Sequence, residues 1–188
     1  MLGQIGSPPS SLLSLLFIRV TGQVSRIIFY SAVTILFLSC HSVPSGQSGN
    51  PFQSSLTERQ IGSSNYYISL PPAYSLKMTR GPDFDVYYFA PADTTAISNF
   101  SGGIYFGNFP NAFPPDNDSC RTETIRGKIL GDIKGWTLYS CKGILSVQVI
   151  IDSKSNEGWN QRIHAFGQAN SRNDLDNLMI IFSTLKHK

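Results

Sequence analysis

Charge is scarce in this chain. Of its 188 residues 15 are basic and 12 acidic, and the basic ones are scattered. There is no lysine or arginine run of the kind that follows a nucleic acid backbone or an anionic lipid surface, so nucleic acid is not an expected partner. Histidine and cysteine are equally sparse, three of each. No two histidines fall at metal-ligand spacing, and no Gly-x-Ser-x-Gly elbow offers a nucleophile. No cofactor, metal centre or catalytic residue is therefore expected. Uninterrupted membrane-length apolar runs are missing too. The apolar run at residues 27–39 covers thirteen residues, short of the roughly 20 that a spanning helix needs.

Thirteen residues is instead the length of the apolar core of an export signal, about 7–15. The run follows Arg26, ends at Cys40, and gives way to a Ser-, Gly-, Pro- and Gln-rich stretch. A cysteine at that place resembles the lipobox of bacterial lipoproteins, although Phe37 and Leu38 depart from the usual leucine and small residue. The resemblance implies cleavage before Cys40, a diacylglycerol on its thiol, and a location in the bacterial envelope. With His41 rather than Asp behind the cysteine, the implied place is the periplasmic face of the outer membrane. An uncleaved signal anchor, or ordinary cleavage leaving a free thiol, are the alternatives. Residues 1–39 are thus read as signal region, with 1–23 an extension ahead of initiation at Val24. Residues 40–55 are read as the lipidated cysteine and a flexible tether, and 56–188 as one globular domain. Two of the fifteen basic residues, Arg19 and Arg26, precede Cys40 and no acidic residue does, which leaves thirteen against twelve, a net of +1.

Past the tether, short runs rich in aromatic and β-branched residues alternate with Gly, Pro, Asn and Asp, which predicts strands at 66–70, 74–78, 84–90, 103–106, 121–130, 133–140, 145–152 and 161–169. The Gly102-Gly103 pair reads as a turn entering a strand, and Gly131-Asp132 as a hairpin turn. Folding that hairpin brings Cys120 opposite Cys141, and in an oxidising compartment the pair is expected to form a disulfide; two buried free thiols are the alternative. Leu175, Leu178, Met179, Phe182 and Leu185 make one apolar stripe, predicting a closing amphipathic helix capped by Ser171 or Asn173, with Lys186 in its last turn. Weaker helical patterns cover 93–99 and 54–61. The expected fold is α+β, an antiparallel sheet packed with the C-terminal helix. The order of an opening strand at Tyr67, the Phe84–Phe89 segment, a meander and the final helix resembles PsbP/Mog1-type exported domains, which implies a binding or assembly module more than an enzyme.

Candidate chemistry is thin. His187 is penultimate, and His164, on an alternating strand opposite Ile163 and Ala165, reads as a half-exposed strand histidine. Asp116 and Asp118 alternate as in the opening of a calcium loop but lack the Gly and distal Glu that complete one. The stretch 108–116 sets Phe109 and Phe113 among prolines, as rigid aromatic anchors for a partner or as a lid over the core. Trp136, Tyr139 and Trp159 read as sheet-packing residues. Together these features predict a membrane-anchored envelope lipoprotein that binds another envelope protein through Phe109, Phe113, Asp116 and Asp118. A periplasmic immunity protein that neutralises a toxin and a small envelope hydrolase using His164 are the alternatives.

Overall fold

A computed structural model describes residues 50–188, except 96, 116–119 and 155–159. The signal region, Cys40, most of the tether, Asp116, Asp118 and Trp159 lie outside the described residues. The fold is the expected α+β: a seven-stranded antiparallel sheet covered by the C-terminal helix, with a small three-stranded sheet beside it.

Structure begins earlier than the expected domain start. Asn50 caps a one-turn helix α1 (Pro51–Ser54) by accepting from the Phe52 N–H, and Phe52 packs edge-on against Phe100. The helix expected at 54–61 does not form. Residues Thr57–Gln60 are strand β1, paired antiparallel with β2 (Tyr66–Leu70), so sheet pairing overrides a weak helical pattern. The long sheet follows: β3 (Tyr74–Arg80), β4 (Phe84–Pro91), β5 (Phe100–Gly107), β6 (Arg121–Ile129), β7 (Asp132–Cys141), β8 (Ile144–Asp152) and β9 (Arg162–Ala169), in the spatial order β3-β4-β5-β9-β8-β7-β6. The segment 93–99 is not helical where described; the Asp93 carboxylate accepts from the backbone and hydroxyl of Thr95, a local bond that competes with helix.

Two-residue turns build the hairpins at both ends of β7. Leu130 and Gly131 have φ of 50° and 88°, and Lys142 and Gly143 have 47° and 86°, the left-handed pairs that match the twist of flanking strands. The first turn thus sits one residue before the expected Gly131-Asp132, because Asp132 already pairs with Ile129. Ahead of it, Cys120 and Cys141 come opposite each other at the far end of the hairpin, their Cα atoms 4.6 Å apart and their sulfurs joined. Gly102 and Gly103 are no turn. Both lie inside β5, where a Cβ would stand 2.5 Å from the Phe89 ring at one and 2.6 Å from the Phe166 ring at the other.

Helix α2 (Arg172–Ser183) starts at Ser171, whose side chain accepts from the Asp174 N–H. It buries Leu175, Leu178, Ile181 and Phe182 on the sheet, and Phe182 meets Phe89 at 5.7 Å and Trp136 at 5.0 Å. Ile181 rather than Met179 completes the buried stripe. The helix ends before Lys186, which with His187 forms β10 (Lys186–His187) on β2. The penultimate histidine is therefore held in a sheet, edge-on to Tyr66 at 4.8 Å. No helix among the described residues is long and apolar enough to cross a membrane.

Candidate binding groove

Strand order dictates where the proline-rich segment runs. β5 and β6 are separated by β9, β8 and β7, so the connection between them must span four strand spacings, about 19 Å at ~4.8 Å each. Side chains alternate along β9: Ile163 and Ala165 face the helix and join the core, which sends Arg162, His164 and Phe166 to the other face. Phe113, Pro114 and Pro115 of the crossover lie on that outer face. The Phe113 ring sits 5.0 Å from the His164 ring and 5.4 Å from that of Phe166.

Gln148 on β8 latches the crossover down. Its Oε1 accepts from the Phe113 N–H at 2.9 Å, and its Nε2 donates to the Phe113 carbonyl at 3.4 Å and to the Tyr139 hydroxyl at 3.3 Å. These partners fix which way the amide points. The same Oε1 lies 2.9 Å from His164 Nε2, so the imidazole is protonated there and donates. Under this cover His164 is only 1% exposed, against the half-exposed state its strand pattern suggests. Burial disfavours the imidazolium and pushes the pKa down to about 4. With the Nε2 proton engaged by the amide, the basic lone pair of the neutral ring is on Nδ1.

Beside the latch a groove of about 540 Å³ crosses the sheet, within the range of ligand sites. Two register rows form it. The first is neutral and polar, running Ser101, Gln168, Ser146 and Tyr139 over four adjacent strands. The second carries the rings, Tyr88 and Phe166 flanking Gly103 and then Gln148, with the Tyr88 and Phe166 rings 6.0 Å apart. Phe113, Pro114 and Pro115 overhang it. Cys141 also lines it, so the disulfide pins the end of the crossover beside the groove. Among the described residues no charged one lines it.

The sequence-predicted site residues divide. Phe113 belongs to the groove and remains 57% exposed, whereas Phe109 is 76% exposed at the start of the crossover and does not line it. Neither ring enters the core under α2; of the two only Phe113 acts as a lid, and it covers the outer face. Tyr139 lies on that outer face and lines the groove, while Trp136 packs in the core as expected. Asp116 and Asp118 lie outside the described residues. Among the described residues no cluster of His, Cys, Asp or Glu is arranged to hold a metal ion. Sequence reasoning missed Gln148, Gln168, Ser101 and Ser146. The signal available was the alternation itself, since outward positions 146, 148, 166 and 168 of β8 and β9, which surface strands commonly fill with charge, carry Ser, Gln, Phe and Gln.

No family model, curated protein or solved structure matches this chain. What the groove takes is accordingly read from its own chemistry.

Proposed function

We propose that this protein is an envelope lipoprotein, anchored through lipidated Cys40 at the periplasmic face of the outer membrane, that binds another envelope protein without catalysis. The observation that carries the reading is the groove across the outer sheet face, whose described lining is uncharged, with aromatic rings on one side and neutral hydrogen-bonding groups on the other. Such a lining favours recognition, because desolvating it on contact costs no buried charge. The cover over His164 supports a binder over a hydrolase, since a base must reach the proton it abstracts. The signal-like segment ending at Cys40 and the nearly neutral mature chain support the anchor and the absence of nucleic acid from its partners.

The test is photocrosslinking in native membranes, with a benzoyl-phenylalanine replacing Tyr88 in one strain and exposed Ile133, outside the groove, in another. A discrete protein adduct from position 88 and none from 133 is the expected result; equal adducts at both positions would remove the groove from the account. Intact mass of the membrane-extracted protein, with and without Cys40→Ala, reads the anchor. Acyl mass lost in the variant is expected, and an unacylated native chain would overturn the lipoprotein reading.

A further inference from the structure

We infer that the groove takes a proline-rich segment of the partner in the polyproline II conformation; this rests on the protein-binding reading above. The hydrogen-bond inventory points there. A polyproline II segment makes no internal hydrogen bonds, and its prolines have no N–H, so it offers carbonyl acceptors and needs donors. The polar row supplies them: the hydroxyls of Ser101 and Ser146, the Gln168 amide, and the Tyr139 hydroxyl, whose oxygen already accepts from Gln148 Nε2 and whose proton is free to donate. An added β-strand fits poorly, because it needs a free edge with alternating donors and acceptors, and this groove crosses the middle of the sheet.

Dimensions agree. The donor row spans three strand spacings, about 14 Å at ~4.8 Å each, the length of four to five polyproline residues at ~3.1 Å each. Beside its β5–β9 end the Tyr88 and Phe166 rings stand as a wall against which pyrrolidine rings pack, as in other aromatic-lined grooves that read such segments. The roof is held at Phe113 by the Gln148 latch, so little ordering is left to do there on binding.

The experiment is fluorescence anisotropy of a labelled proline homopeptide titrated with the full-length protein in detergent micelles, alongside a Gly-Ser peptide of equal length and an unlabelled neutral oligosaccharide as competitor. Saturable binding of the proline peptide alone is expected, weakened about tenfold by Tyr88→Ala or Gln168→Leu and unaltered by Ile133→Ala. Absence of saturation, indifference to Tyr88→Ala, or displacement by the oligosaccharide would each overturn the inference, the last by making the groove a glycan site. If position 88 crosslinks a protein in membranes while the proline peptide fails to bind, this inference falls and the protein-binding reading stands; if neither occurs, both fall.

Discussion

The two faces of the seven-stranded sheet follow the same alternation and end in different states. On one, Phe89, Ile104, Trp136, Leu138 and Ile163 are fully buried beneath α2. On the other, a single crossover segment covers His164 and leaves Tyr88 and Phe113 half exposed. The first face is closed by a helix that satisfies its own backbone; the second is closed by an irregular chain whose backbone must borrow partners such as Gln148. A sealed face stabilises and recognises nothing. A face closed by one latched strap keeps open surface next to rigid support, which is where recognition residues are commonly found.

The largest effect should come from breaking the sealed face. Phe182→Ala removes a fully buried ring between Phe89 and Trp136 and should cost about 3–5 kcal/mol, read as a lowered urea midpoint. A loss comparable to that of an exposed-residue variant would mean the helix face is not the core.

Next is the pH response of the strapped face. An unfolded chain protonates a histidine near 6.5, while the folded chain holds His164 neutral down to about 4. Below 6.5 the unfolded state binds the extra proton, so this group's contribution is complete above pH 6.5, falls as pH drops from 6.5 to 4, and levels off below. The loss is about 3 kcal/mol. Urea unfolding across that interval should show wild type losing this much more than His164→Gln; parallel curves would mean the strap leaves His164 accessible to solvent.

Gln148→Leu should follow. It keeps the volume but leaves the Phe113 N–H and the His164 Nε2 proton without their acceptor, at about 1–3 kcal/mol. The change should also raise proteolytic cleavage at 109–115, which separates release of the strap from general loss of stability.

Sequence alone reached much of the sealed face and little of the open one. The helix, the hairpin around β7 and the disulfide rest on local patterns that burial reinforces: Leu175, Leu178 and Phe182 at helical spacing, and two cysteines placed opposite each other by a tight turn. The end of α2 was misplaced because Leu185, buried like the stripe before it, serves the core from outside the helix. β1 and β10 were missed because Thr57–Gln60 and Lys186–His187 are held by pairing with β2, a nonlocal bond invisible in their own polar composition. The groove was missed for the same reason. Ser101, Gln168, Ser146 and Tyr139 are ordinary residues on four different strands, and only the register of those strands makes them a row.

Tyr88→Ala gives the smallest expected change in stability and the sharpest contrast between the faces. Its ring is 46% exposed and touches Phe166 edge-on, so truncation should move the urea midpoint by no more than about 0.5 kcal/mol. Phe182 and Tyr88 are thus aromatic residues on opposite faces of one sheet, with expected losses roughly an order of magnitude apart. If the fold requires Phe182 and tolerates loss of Tyr88, while binding requires Tyr88, stability and recognition are divided between the faces. A Tyr88→Ala variant that loses stability as Phe182→Ala does would show instead that the outer rings are core, and the groove would then be a packing defect beneath the strap rather than a site.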